Sequence, residues 1–584
     1  MQSTRVAILG VDVGGTFTDA VLLDGGRVRM AKVPTAERQE TSVLAAARAV
    51  GATDVERFAH GTTTATNALL ERRGARTTFI GTAGFEHLLH LRRQTRAHLY
   101  RLCAHHPDPL VPLERCHGVR GRIGPAGELE PLDLGTLPDI GDAEAVAVCL
   151  LFSFRDARHE RAVAEELRRR HPGVRVVASH EIAPEFREYE RASTAAADAY
   201  LGPVVGRYLD ALADGARAAG LPEPLVMLSS GGVATPAEAA AHPATILVSG
   251  PAAGVVGAGL VARRAGFENS IAFDMGGTST DVCLMPGGRA ARVHERDVGG
   301  LPIRLPTVDL HTVGAGGGSL VRVDAGGAIR VGPESAGAHP GPACYGAGGG
   351  PTVTDANLLL GRLPAELPGG LVLDRDAAAA AMSGLDPAAV VDVVNAEMLR
   401  ALRVVSVERG HDPREFALVA FGGAGPLHAC ALAEDLGIET VLVPEAAGVL
   451  SALGLVASDE RRDRVVSYVQ PLAEVADLPA EGEADLRYRG QSFELTVPLQ
   501  HDLAAAFHLA HEERYGYADE EREIELVAVR TAEVVAGPDL DLQVTDWYKV
   551  EGPGVVELPG ATCWVPDGWS GETNGDGTLV LERR

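Results

Sequence analysis

Apolar and polar side chains fall in blocks along the chain, and the first block sets a pattern. A short apolar run reaching Val11 meets the polar stretch Asp12-Val-Gly-Gly-Thr-Phe-Thr-Asp19, and a second apolar run, Ala20 to Leu23, follows. Such runs, interrupted at a Gly-Gly pair that no strand interior favours, predict strand, tight turn, strand. The pattern returns as Ile271 and Phe273, then Asp274-Met-Gly-Gly-Thr-Ser-Thr-Asp281, then Val282, Cys283 and Leu284. Six of the eight positions in the polar stretch are identical, which points to an internal duplication.

The remaining blocks alternate between strand and helix, as a sheet with covering helices requires. Residues 41–50 place Val43, Ala47 and Val50 on one helical side, and 145–151, 161–170 and 174–178 read as strand, helix and strand. A helical stretch over 187–212 is expected to bridge two halves and to kink or break at Pro203. Then come strand 226–228, a helix rich in small residues reaching 261, helices 377–382 and 388–409, strand 417–421 and helix 427–436. Past residue 465 the pattern shifts to strands over 486–497 and 524–535, helix 504–515 and a tail of short hairpins. The expected units are 1–195 with the first hairpin, 196–465 with the second, and a β-rich 466–584.

The hairpin turns carry candidate chemistry. Paired glycines let backbone N–H groups approach a phosphate closely, and threonine hydroxyls add donors. Aspartates repel phosphate, so they serve only with a divalent cation or its waters between. The stretch His60-Gly-Thr-Thr-Thr-Ala-Thr-Asn-Ala-Leu-Leu70 puts hydroxyls at a helix start, where they cap free N–H groups or face a phosphate. Asp309 and His311 stand two apart, on one face if the segment is a strand. They read either as a satisfied polar pair at a strand end or as a general base and hydrogen-bond donor toward a substrate. Gly314-Ala-Gly-Gly-Gly-Ser319, just after them, must lie against backbone or against nucleotide. Cys344 reads as a small packed residue, and the scatter of Cys103, His105, His106, Cys116 and His117 does not fit zinc spacing.

Composition narrows the classes. At 584 residues the chain is too long for one core. A net charge of -26 argues against nonspecific binding to nucleic acid or anionic membrane, so any phosphate is held locally. The only lysines are Lys32 and Lys549, and no GxxxxGK[ST] occurs, which excludes a P-loop. Seven scattered cysteines without CxxC pairs suit a reducing cytoplasm, and no apolar run is long enough for a membrane span.

Taken in order, the two hairpins, the 60–70 stretch, Ser249-Gly-Pro-Ala-Ala-Gly254, Asp309-Leu-His-Thr-Val-Gly-Ala-Gly-Gly-Gly-Ser319, Gly341-Pro-Ala-Cys-Tyr-Gly346 and Phe421-Gly-Gly-Ala-Gly-Pro-Leu-His428 resemble the hydantoinase A and oxoprolinase family. That family lies within the actin, Hsp70 and sugar-kinase superfamily, and the likeness covers nearly the whole chain. It departs at Ser230 and His339, where the family usually has Asn and Asp. The resemblance implies an α/β fold of two duplicated actin-like (ribonuclease H-like) ATPase lobes with a small β-rich C-terminal domain. It implies ATP and Mg²⁺ as cofactors, with Asp12 and Asp274 on the metal and Gly14, Gly15, Thr16, Thr18, Gly276, Gly277, Thr278 and Thr280 on phosphates. Gly316 and Gly317 join the nucleotide site, Gly422, Gly423, Ala424 and Gly425 pass the adenosine, and Asp309 and His311 act with Asp12 and Asp274 in catalysis. The implied activity is ATP-dependent opening of a cyclic amide such as 5-oxoproline or a hydantoin, in a homo-dimer or hetero-oligomer with a hydantoinase B-like subunit. Family relatives that carboxylate acetone or acetophenone, and a nonenzymatic ATP-switched protein, are the alternatives.

Overall fold

The structure, a computed structural model, describes residues 7–367, 370–540 and 548–584. The first strand is Ala7–Val13, so Val6 of the expected strand lies outside the described residues. It pairs antiparallel with Phe17–Asp24, which pairs in turn with Arg27–Pro34, and on its other side it runs parallel to Val55–Gly61. The second hairpin, Ser270–Met275 with Thr280–Met285, has the same neighbours: an antiparallel strand at His311–Val313 and a parallel strand at Ala417–Phe421. The duplication seen in the sequence is therefore a duplication of strand order, and the fold is α/β with two like lobes.

Each hairpin belongs to a large mixed sheet. The first sheet has ten strands and continues from Val55–Gly61 through Leu225–Met227 and Val233–Ala234; the second has eight. A five-stranded sheet is built from residues 77–178, and its central strand Thr77–Thr82 and the neighbouring Ala145–Cys149 are buried throughout. The helix Glu188–Ala218 covers one face of that sheet and runs unbroken for 31 residues with Pro203 inside it. The expected break at Pro203 does not occur, and the helix packs within the first lobe. Nearly every side chain from Tyr189 to Gly202 is buried, and that packing outweighs the roughly 3 kcal/mol that proline costs inside a helix.

Residues beyond 465 form only one small sheet of their own among the described residues, the hairpin of Gly554–Leu558 with Ala561–Val565. Glu460–Pro471, Ile524–Val535, Glu483–Tyr488 and Leu495–Pro498 extend the first sheet, while Thr578–Arg583, Trp569–Thr573 and Lys549–Glu551 extend the second. The β-rich end is thus shared between the lobes, and its strands cover edges that would otherwise stand open. Ala484, Leu486, Tyr488, Val497 and Phe507 give the first group a small core, whereas Trp569, Leu579 and Leu581 join the core of the second lobe.

Two helices, Ser249–Arg264 and Leu450–Ala457, pack on each other between the sheets. Their small residues serve that approach: a Cβ on Gly454 would come within 1.9 Å of the Ala253 carbonyl oxygen. Among the described residues no helix is long and apolar enough to cross a membrane.

Candidate functional site

The two glycine turns are built alike to the level of single hydrogen bonds. Asp12 pairs with Asp19 and Val13 with Thr18; Asp274 pairs with Asp281 and Met275 with Thr280. The Gly14 N–H donates to the Phe17 carbonyl at 2.9 Å, and the Gly276 N–H donates to the Ser279 carbonyl at 3.0 Å. Gly15, Thr16, Gly277 and Thr278 are exposed at the tips. Thr18 and Thr280, by contrast, are fully buried and turn their hydroxyls inward. Thr280 donates to the Ala315 carbonyl at 2.6 Å, and Thr18 bonds Thr35, which itself donates to the Gly14 carbonyl. These two hydroxyls brace the turns and are not available to phosphate. The tips can still offer backbone N–H groups and the Thr16 and Thr278 hydroxyls.

Below each tip lies an aspartate whose charged state its surroundings disfavour. Asp12 is half-buried as a residue, and its Oδ1 is shut off from solvent without a hydrogen-bond partner. Burial, then the charge of Asp19, pushes its pKa up to about 7, with Lys32 pulling the other way. Asp274 is pushed up to about 8 by burial first, then by Asp281, Asp12 and Asp19. Asp274 feels the charges of Asp12 and Asp19, so the acids of the two hairpins lie near one another. Each carboxylate fits where it does because a glycine ends the neighbouring parallel strand: a Cβ on Gly61 would lie 2.2 Å from Asp12 Oδ1, and one on Gly422 would lie 2.3 Å from Asp274 Oδ1.

The outer acids have partners, although burial still raises the pKa of both. Lys32 bonds Asp19 across the strand pair, and Thr312 donates to Asp281 at 2.5 Å, with Arg296 and His311 close enough to stabilise its charge. Among the described residues no basic side chain bonds Asp12 or Asp274. Two buried, mutually repelling carboxylates, one with an orphaned oxygen, beneath exposed glycine tips fit a hard divalent cation and the phosphates it would neutralise. Lys32, one of the two lysines, stands directly across from Asp19, a pairing that the predicted two-strand hairpin does not contain.

The helix Ser249–Arg264 starts at Asp12. A Cβ on Gly250 would sit 3.7 Å from Asp12 Oδ1, and the cap residue Val248 is left-handed with no side-chain cap. Ser249 Oγ donates to the Thr62 carbonyl at 3.1 Å, and Thr66 accepts from the Val248 N–H at 2.9 Å. The 60–70 threonines therefore anchor this helix start, and the helix Thr64–Leu70 carries no side-chain cap of its own. His60 is buried and held neutral, its pKa lowered to about 4 by burial. It bonds the Val11 carbonyl through Nδ1 at 3.0 Å and the Tyr208 hydroxyl through Nε2 at 2.7 Å.

On the second lobe, the glycine run lies against backbone. The Gly317 and Gly318 N–H groups donate to the Gly276 and Gly277 carbonyls at 3.0 and 2.7 Å, and a Cβ on Gly316 would meet the Gly277 carbonyl carbon at 2.6 Å. Gly316 and Gly317 thus hold the turn in place. Gly422 has φ +79°, the Ala424 N–H donates to the Met275 carbonyl at 2.9 Å, Gly423 is exposed, and the helix Gly425–Leu436 begins there. Asp309 and His311 do not share a strand face. The Leu310 N–H turns back to the Val308 carbonyl at 2.9 Å, a three-residue turn that starts the strand only at His311. Asp309 is paired with Arg409, and His311 sits across from Val282 near Asp281. Cys344 is fully buried with its thiol pKa raised, chiefly by burial.

Two hairpins of one design, each holding a buried acid beneath an exposed glycine turn, with the acids near one another, define a two-lobed α/β protein. Residues 8–171 match the family model described as Hydantoinase/oxoprolinase N-terminal region, and residues 191–464 the model described as Hydantoinase/oxoprolinase. The chain belongs to the hydantoinase/oxoprolinase family. It is 33% identical to the caprolactamase subunit alpha of Pseudomonas jessenii, over 96% of this chain and 97% of that one. The crystal structure of the ATP-dependent caprolactamase from that organism matches with a TM-score of 0.86, covering 99% of this chain and 100% of that chain at 31% identity. 5-Oxoprolinase 1 of Arabidopsis thaliana is 32% identical over 89% of this chain and 49% of its own length. The acetophenone carboxylase gamma subunit of Aromatoleum aromaticum is 34% identical over 76% of this chain and 67% of its own.

Proposed function

We propose that this chain is the ATP-dependent subunit of an enzyme that opens a cyclic amide, acting on its carbonyl by transfer of the γ-phosphoryl group. The observation that carries this reading is the neighbouring pair of buried acids, Asp12 and Asp274, beneath exposed glycine tips. The similarity to caprolactamase and 5-oxoprolinase supports it. An amide carbonyl is a poor electrophile, and phosphorylation of its oxygen makes that oxygen a leaving group.

Asp12 and Asp274 would hold Mg²⁺, directly or through water; the ion supplies charge neutralisation on the phosphates. The exposed tips, Gly15 and Thr16 on one hairpin and Gly277 and Thr278 on the other, grip the phosphates, and the Gly422–Gly425 turn passes the adenosine. The start of the helix Ser249–Arg264 directs its N–H dipoles at the place where negative charge builds during transfer. Alignment and electrostatics of this kind account for most of the rate in phosphoryl transfer. Asp309, held by Arg409, has no part in this proposal. A hydantoinase B-like subunit completes the hydrolysis; relatives named as alpha and gamma subunits support a multi-subunit enzyme.

The similarity to an acetophenone carboxylase subunit favours a second reading, phosphorylation of an enolate oxygen and bicarbonate. Phosphate release from ATP by the chain with its partner, against caprolactam, 5-oxoproline, hydantoins, and acetone or acetophenone with bicarbonate, separates the two. Stimulation by a lactam or hydantoin supports the first reading and stimulation by a ketone the second. Tight ATP binding without stimulation by either would point to an ATP-switched protein.

A further inference from the structure

The segment between the short helix Leu88–Leu91 and Pro107 is an exposed loop that is nevertheless firmly built. Its ends are stitched together: Arg92 donates to the Pro107 carbonyl, and His106 bonds the Thr95 carbonyl at 2.9 Å. Arg92 and Gln94 both adopt a left-handed backbone, at φ +55° each, which side-chain-bearing residues hold only where the surroundings impose it. The loop tip carries three large apolar side chains into solvent, Leu99 at 70%, Tyr100 at 89% and Leu102 at 90% exposure.

Its charge runs against that of the chain. Between Glu86 and Asp108 there is no acidic residue, while Arg92, Arg93, Arg96 and Arg101 all fall there, in a protein of net charge -26. Arg92 and Arg93 are used internally, on Pro107 and Glu190. Among the described residues, Arg96 and Arg101 bond nothing with their side chains. An ordered loop with an exposed tyrosine, two leucines and two unpaired arginines has the composition of a binding hot spot.

The position of the loop is as informative as its composition. Its base rests on Gly300, whose carbonyl accepts from Arg92 at 3.4 Å and whose Cβ position would touch Pro107. The adjoining Gly299 lies against Leu70, the last residue of the helix Thr64–Leu70. That helix of 7 residues begins beside the acid site, so loop base and site are separated by about 10 Å of helix.

We propose that the 92–107 loop is the docking element for the second subunit, through an acidic partner surface that has an apolar recess for Tyr100 and Leu102. This rests on the proposed two-subunit reaction, in which the chain that completes hydrolysis must sit close to the site of phosphorylation. Charge complementarity selects an acidic protein, and the net charge of the whole chain disfavours nucleic acid and anionic lipid.

The test uses the full-length chain with the hydantoinase B-like subunit of the same organism, followed by size-exclusion chromatography and a binding titration at low and high salt. Two surface pairs are compared with the unsubstituted protein: Tyr100→Asp with Leu102→Asp, and Arg96→Glu with Arg101→Glu. Each pair is expected to weaken the complex by at least about tenfold, added salt is expected to weaken the unsubstituted complex, and ATP binding by the isolated chain should stay unchanged. No complex with the unsubstituted chain, or a complex that tolerates both pairs, overturns the proposal. So does loss of self-association with partner binding intact, which would make this an interface between copies, or binding of nucleic acid or lipid vesicles by the loop in place of the subunit. If the complex forms and the variants break it while no lactam is opened, the surface stands and the proposed reaction falls.

Discussion

Replacing Asp12 with Asn should stabilise the nucleotide-free protein at alkaline pH while destroying its use of ATP. Asp12 in the folded chain titrates near 7, against 3.8 for a free carboxyl. Below pH 3.8 both states carry the proton and nothing is lost. As pH rises from there, the unfolded chain releases its proton while the folded chain keeps it, so folding weakens until about pH 7, where the loss is complete. Holding the carboxyl so far above its free value costs as much as about 4 kcal/mol. For a chain of 584 residues the unfolding entropy is about 1.2 kcal/mol per degree, so the expected Tm difference is about 3 °C. Asn resembles protonated Asp in shape and charge, so the variant should match the parent at about pH 3 and exceed it at about pH 8.5 by about that amount. Differential scanning calorimetry across the pH range, with and without Mg²⁺ and ATP, reads both effects. With nucleotide and metal the parent should recover stability at high pH and the variant should not. If the two proteins keep the same Tm difference at every pH, the buried charge at Asp12 is not a cost and the cation-site argument loses its basis.

Other consequences follow from single contacts. Gly422→Ala combines φ +79° with a Cβ 2.3 Å from Asp274 Oδ1, so ATP affinity by calorimetric titration should fall at least about tenfold, the range of a moderate strain; unchanged affinity would detach Gly422 from the site. Arg530→Ala leaves the buried Asp485 without its cation, while Glu185 keeps Arg304, at a cost of about 3 kcal/mol and a Tm drop of about 2–3 °C; a neutral result would show that Asp485 does not depend on that pair. Tyr208→Phe removes the partner of the buried His60 Nε2 and should cost about 1–3 kcal/mol in denaturant unfolding, while ATP affinity changes little.

How much could be read from the sequence depended on the range of the interaction. Both hairpins and their turns follow from local alternation and a Gly-Gly pair, and the repeated phrase made the doubled α/β fold and the family legible before any contact was known. The inward turn of Thr18 and Thr280 depends on partners at Thr35 and Ala315, which no local pattern names. The same holds for Asp309, whose partner Arg409 lies 100 positions away, and for the strands beyond 465, whose alternation does not say which sheet they join. Pro203 misled because a local rule was applied to a helix whose surroundings bury it. Lys32 stood out in the sequence only as one of two lysines, because the predicted hairpin did not include Arg27–Pro34, the strand that sets it across from Asp19.

The most direct measurement of the central claim uses a lactam that stimulates ATP turnover, labelled with ¹⁸O in its carbonyl. Opened by the chain with its partner, it should deliver the label to inorganic phosphate, because the carbonyl oxygen is the atom phosphorylated and expelled. Phosphate free of ¹⁸O, with the label retained in the opened product, would show that ATP does not act on that oxygen and would contradict the account.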